Sequence, residues 1–235
     1  MKQKLRDLIK AGRDKEESEL VPHVDDATPD EPGRWTAKDQ LAHQMAWRQH
    51  AAAEMDAVRT GGAGPVVSDD DLVANAEIYK RTHHQPAASI RDAAKSSWDQ
   101  LAAAVEACSD EDLAKPRIRR SPTPEALWQL VPNDAYFHLA EHLVWWHRDR
   151  GDEAAAEDAA KWGYEMASST YPDYRSQGTV TYNLGCFYAV RGRAAEAVPL
   201  LRKGIELRPD LREWAKQDTD LDPIRSTPEL ASLLG

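Results

Sequence analysis

Long apolar runs, paired cysteines and an excess of positive charge are all missing from this 235-residue sequence. No window approaches the roughly 18 uninterrupted apolar residues of a membrane-spanning helix, so no membrane partner is expected. The opening segment, MKQKLRDLIKAGRDKEE, is charged throughout and lacks the apolar stretch of a secretion signal. Two cysteines, Cys108 and Cys186, do not make a disulfide framework, and a reducing cytoplasmic setting is the expectation. Forty acidic residues outnumber thirty basic ones, and the net charge of −10 argues against nucleic acid as a partner. The one basic run, Lys115 to Arg120, stands among prolines and reads as a solvated loop. No segment alternates polar and apolar residues with period two over a useful length, which excludes a substantial sheet. Phenylalanine is scarce, at two, whereas tryptophan reaches eight. Rings of that size fill bundle cores or wall an organic ligand.

What is present is helical periodicity. Leu5, Leu8 and Ile9 recur at helical spacing over residues 2–19, and a loop rich in Pro, Asp and Gly follows. Thr36 is placed to cap the next helix, with Asp39 three residues on in the capping-box position, and that helix should run to about Val58. Residues 68–80 read as a short helix capped by Ser68, and residues 88–107 as a long one built on Ile90, Ala94, Trp98, Leu101 and Val105. The segment SDEDL restarts a helical turn. A fourth long helix is expected from Pro124 and Glu125 to about Arg150, kinked or broken near Pro132. Gly151 and Asp152 then mark a break, placing a first domain at 1–150 and a second at 151–235.

Eight histidines are present. His138 and His142 stand four apart on the fourth long helix and therefore project from one face. His43 lies early in the second helix, which should run beside the fourth. Three such imidazoles with open coordination positions suit Zn, Ni, Fe or Mn, leaving room for water or substrate. Asp134 and Glu141 are the candidate base or orienting carboxylates, and His50 and His147 are spare imidazoles. The same residues spell H-x-x-E-H, an inverted zinc-protease motif. A bundle is the wrong setting for that motif, and no clear third ligand follows it. A His pair at this spacing also forms where both rings merely bond carboxylates or solvent.

In the last third, Leu184, Gly185, Tyr188, Ala197, Leu201, Gly204 and Pro209 fall at the spacing of a tetratricopeptide repeat over residues 178–211, with Gly192 and Arg193 as the inter-helix turn. Thr181 stands where that pattern has its first aromatic residue. Ala160, Tyr164, Ala167 and Pro172 fit a lone preceding helix. The stretch REWAKQDTDLDPIRSTPELASLL resembles the tail that closes many bacterial repeats of this type. Such a module caps the bundle, dimerises, or docks a protein partner.

The segment WTAKDQLAHQMAW, followed about ninety residues later by FHLAEH, resembles the DinB-like four-helix bundle superfamily, which includes mycothiol-dependent isomerases, bacillithiol transferases and ClbS-like resistance proteins. Residues 68–113 look most like the ClbS-like branch. The resemblance covers about residues 1–150. It implies an all-α, up-down-down-up four-helix bundle, with the short tetratricopeptide-type module as an addition. It also implies a divalent metal on His43, His138 and His142, a low-molecular-weight thiol as possible co-substrate, and a homodimer. The expected function is a metal-dependent hydrolase or thiol transferase acting on an electrophilic small molecule in detoxification or resistance. The rivals are a non-enzymatic small-molecule binder and a scaffold docked through the repeat.

Overall fold

Residues 1–26, 35–118, 125–171 and 173–235 are described in a computed structural model of the chain. They form two compact units, Met1–Ala156 and Glu157–Gly235. Among the described residues every regular element is helical, and the only strand-like pairing is an isolated bridge between Pro116 and Ala126. Among the described residues no helix is long and apolar enough to cross a membrane.

The first unit contains α1 (Lys2–Glu19), α2 (Ala37–Thr60), α3 (Asp71–Thr82), α4 (Ala87–Ala107), α5 (Asp110–Ala114) and α6 (His138–Asp149). Local chemistry explains most of their ends. The Thr36 hydroxyl accepts from the Asp39 N–H, and the Asp39 carboxylate accepts from the Thr36 N–H, which closes a capping box. Gly61, at φ 71°, terminates α2 in the left-handed conformation that glycine adopts without strain. Ser109 and Asp112 repeat the capping box on α5. The expectation for α3 needs correction. Its cap is Asp70, which accepts from the N–H groups of Leu72 and Val73, whereas Ser68 accepts from the Asp70 N–H one step earlier.

The fourth long helix also departs from expectation. Pro124 lies outside the described residues. Glu125 is still in the loop paired with Arg117, and a single 3₁₀ turn spans Leu127–Gln129. Residues Val131–Phe137 then wind as a π-helix before α6 begins, and the His138 N–H bonds the Asn133 carbonyl five residues back. Pro132, which has no N–H to give to an α-helical ladder, sits at the start of this wide segment.

Helix α2 is the centre of the unit. It is buried on nearly every face, not only through Leu41, Ala42, Met45 and Ala51 but also through Asp39, Gln40, His43, Gln44, Arg48 and Glu54. A polar group taken out of water must find a partner in the protein. Arg48, fully buried, donates to both carboxylate oxygens of Glu16 on α1, at 2.7 and 3.1 Å, and to the Ser97 hydroxyl on α4 at 2.9 Å. The Trp98 indole donates to Glu16 at 2.9 Å, and its ring lies 4.1 Å from the Arg48 guanidinium carbon. Gly12 leaves room for that ring, since a Cβ there would meet Trp98 at 2.6 Å. This network ties α1, α2 and α4 together.

In the second unit, α8 (Tyr174–Ala189) and α9 (Ala194–Leu207) pack against each other after α7 (Glu153–Thr170), with α10 (Leu211–Ala215) and α11 (Pro228–Leu234) following. Glycine lets the pair approach closely. A Cβ on Gly185 would meet the Leu201 side chain at 2.9 Å, and one on Gly204 would meet Tyr182 at 2.9 Å. Those pairings run in opposite senses along the two helices, so the pair is antiparallel. Gly192, at φ 69°, makes the turn between them. The Tyr182 hydroxyl donates to Asp218 at 2.8 Å, which anchors the start of a 3₁₀ turn over Thr219–Ile224.

Arg48→Ala strands a buried carboxylate and should destabilise the first unit by about 3–5 kcal/mol, whereas the double change Glu16→Leu, Arg48→Met should cost far less. Urea denaturation followed by tryptophan fluorescence measures both. Equal losses in the two variants would show that the pair is not coupled.

Candidate metal centre

His43 projects from α2, and His138 and His142 project from successive turns of α6. The Nε2 atom of His138 is 3.0 Å from Nε2 of His43 and 3.0 Å from Nε2 of His142. The three rings offer ligand atoms that all lie within 4.8 Å of one another. Nitrogens held about 2.05 Å from one ion and about 90° apart lie about 2.9 Å from each other, so this spacing fits donors on one face of a shared divalent ion. The donor chemistry fits as well. Burial pushes His43 down to about 3, with a further contribution from His138. His138 falls to about 4, chiefly by burial and also through the Arg48 cation. His142 is pushed down by burial and by its two imidazole neighbours. All three are therefore neutral at pH 7 with lone pairs to give.

The Nδ1 sides differ. On His138 the backbone of Asp134, one turn earlier, favours a proton on the ring. His142 Nδ1 makes a short hydrogen bond with the Gln40 side-chain oxygen. His43 Nδ1 is buried and, among the described residues, has no hydrogen-bond partner.

Aromatic rings surround the cluster. Trp35 lies 4.9 Å from His43 and 5.8 Å from His142 by ring centroids, Trp47 lies 6.4 Å from both His43 and His138, and the half-exposed Trp145 lies 4.8 Å from His142. Trp98 and Trp146 belong instead to the core, so the tryptophans divide between the two roles expected of them. Beside His138 opens a cleft of ≈ 240 Å³ lined by Trp47, Asp71, Asn75, Asn133, Asp134, His138 and Glu141. The Trp47 indole donates to Asn75 at 3.1 Å.

The two candidate carboxylates stand differently in this cleft. Glu141 is solvent-accessible at its mouth and has no partner among the described residues, yet the crowding of the walls pushes its pKa up to about 7. Asp134 is engaged by Arg117 at 2.9 Å. Burial raises its pKa, Arg117 opposes that rise, and Glu125 and Glu54 reinforce it. Asp134 is therefore a structural partner as well as part of the lining.

Arg117 corrects the reading of the basic run as a solvated loop. Its side chain is 8% exposed and lies among Glu54, Glu125 and Asp134. Burial works against its charge, and those carboxylates outweigh burial and raise its pKa. Arg119 and Arg120 lie outside the described residues. Of the spare imidazoles, His147 contacts Glu19 at 2.6 Å and His50 lies 3.4 Å from Glu54, both away from the cluster. Sequence reasoning overlooked Gln40, and it held Trp35 only among the tryptophans that fill a core or wall a ligand. The available signal was spacing: Gln40 precedes His43 by three residues and so shares its helix face.

Residues 17–144 match the family described as the DinB superfamily. No curated protein and no solved structure matches the chain.

The depressed imidazole pKa values set a sign for acid stability in the metal-free protein. The unfolded chain takes up protons at these histidines below about pH 6.5, while the folded one holds them neutral to about pH 4 or below. Stability is then full above about pH 6.5 and falls as pH drops toward 4, by up to ~1.4 kcal/mol per pH unit for each histidine. Urea denaturation at pH 7, 6 and 5 should show a shallower fall for a His138→Gln, His142→Gln variant. Identical slopes would refute burial of neutral imidazoles.

Proposed function

Because the chain belongs to the DinB superfamily, we propose that its first unit is a metal-dependent enzyme acting on an electrophilic small molecule, by hydrolysis or by transfer to a low-molecular-weight thiol. The observation that carries this reading is the convergence of three neutral Nε2 atoms beside a solvent-open cleft. His43, His138 and His142 would hold the ion, which is Zn, Ni, Fe or Mn. When bound, the ion supplies the Lewis acidity that makes a nucleophile available at neutral pH.

The remaining work falls to the chain itself. Glu141 opens onto the cleft, and its raised pKa suits it to the role of general base. Asn75, Asn133 and the Trp47 ring orient the substrate. Asp134, gripped by Arg117, keeps the wall of the cleft and the His138 backbone support in place. The lining carries acidic and amide groups and no free cation among the residues named, so a neutral or positively charged electrophile suits it better than an anionic one.

A second reading is favoured by the ring of Trp35, Trp47, Trp145 and Tyr79, with Trp35 stacked 6.1 Å from Tyr79. On that reading the unit sequesters a toxic aromatic compound without turning it over. For the second unit, the antiparallel α8–α9 pair with glycines at its contact supports a tetratricopeptide-type module that docks a protein partner or serves in a homodimer. Detoxification in the cytoplasm accommodates all three readings.

Untagged protein analysed by elemental mass spectrometry should carry close to one divalent ion per chain, and a His138→Ala, His142→Ala variant should carry none. Protein that is metal-free and also refuses added Zn, Ni, Fe and Mn would overturn the enzymatic reading and leave the binder. Tryptophan quenching by candidate ligands would then be the measurement to make.

A further inference from the structure

We propose that Gln40 is a positioning residue: its side-chain oxygen holds the His142 proton on Nδ1 and so turns the Nε2 lone pair toward His43 and His138. The proposal rests on the metal-site reading above and deepens it. The argument is a proton inventory of the three rings. The Asp134 backbone favours a proton on the His138 ring, and since Nε2 of His138 faces the other two imidazoles at 3.0 Å, we assign that proton to Nδ1 and a lone pair to Nε2. His142 presents its Nδ1 to the Gln40 oxygen, which only accepts, so His142 carries its proton there too.

Both Nε2 atoms are then lone pairs facing each other across 3.0 Å. That repulsion is relieved where something positive lies against the lone pairs. In the loaded protein the ion would do this for both. In the metal-free protein a proton on Nε2 of His43, 3.0 Å from Nε2 of His138, does it for the His138 lone pair. His43 is free to adopt that tautomer because nothing among the described residues holds its Nδ1.

Two ligands are thus locked in the metal-ready form and the third exchanges its proton position on loading. Gln40 itself is almost fully buried and sits on the same face of α2 as His43, so one helix supplies both a ligand and the group that orients another. Outer partners of this kind change metal affinity by about 10–100-fold when removed. A carboxamide can do this without adding charge, unlike the more common carboxylate.

The test uses the full-length, ¹⁵N-labelled protein without metal. Long-range ¹H–¹⁵N correlation spectra report which ring nitrogen carries the proton. Wild type should show His142 with its proton on Nδ1 and His43 with its proton on Nε2. Gln40→Leu should shift His142 toward the Nε2–H form, and Gln40→Glu, which keeps an acceptor, should retain the wild-type pattern. Co(II) titration is the second readout. Gln40→Leu should bind Co(II) about 10–100-fold more weakly, with an altered visible spectrum, and Gln40→Glu should bind at least as tightly as wild type. Wild-type His142 in the Nε2–H form, or a Gln40→Leu protein with the wild-type tautomer and Co(II) affinity within about twofold, would overturn the proposal. Failure of wild type to take up Co(II) would sink the metal-site reading, while the tautomer spectra would still decide the role of Gln40.

Discussion

A helix buried on nearly all sides that nevertheless carries polar side chains is the constraint on which the first unit depends. Together the polar residues of α2 take partners from several other elements. Asp39 receives His83 from the end of α3, at 3.0 Å. Gln40 and His43 meet His142 and His138 of α6. Arg48 meets Glu16 of α1 and Ser97 of α4, and Glu54 accepts from the Ile118 backbone. An apolar α2 would pack well in several rotations. These pairings permit one, because any other strands buried donors and acceptors at a cost of about 1–3 kcal/mol each. The groups that specify the bundle and the groups that build the site are therefore neighbours on one helix.

The electrostatics follow from the same burial. An imidazole in this setting competes poorly for protons, and Arg48 beneath the site lowers His138 further. The cluster gives up protons easily and keeps its lone pairs, a preference for a metal ion over acid. The cleft beside it does the reverse to a carboxylate, shifting Glu141 upward. The same kind of crowding thus acts in opposite senses on two residue types standing next to each other in the chain.

What could be read from the sequence was the local chemistry. The capping box at Thr36 and Asp39 and the span of α1 depend on residues within a turn of one another, and the first two long helices form close to where the periodicity puts them. The set His43, His138 and His142 was legible because i,i+4 spacing fixes two of them on one face and a bundle brings the third helix alongside. The misjudged features depend on distant partners or on close competition. Arg117 looks like part of a solvated run until Glu54, Glu125 and Asp134 are seen to converge on it from elsewhere in the chain. Ser68 and Asp70 are both good caps two residues apart, and Asp70 wins because its carboxylate reaches two N–H groups at once. Gln40 is easily passed over, because a glutamine on a helix is ordinarily solvent-facing and only its spacing from His43 marks it.

The π-wound turn before α6 shows how a local irregularity can serve the site. Pro132 stands in the first turn of the segment, where its missing N–H breaks no helical bond and a regular helix could have followed. Here the chain widens instead, so that the His138 N–H reaches Asn133 five residues back. One extra residue in a turn advances everything downstream by about 100° around the axis. Leu139 and Leu143 are fully buried in the resulting phase, while His138 and His142 face α2. In an uninterrupted α-helix starting at the same point, the histidines and the leucines could not both hold these positions. The same segment carries Asp134, whose backbone fixes His138 and whose side chain grips Arg117. The irregular turn thus sets the phase of two ligands, supplies the support of one and walls the cleft, which gives a physical reason for a costly winding to persist where the chemistry is proposed.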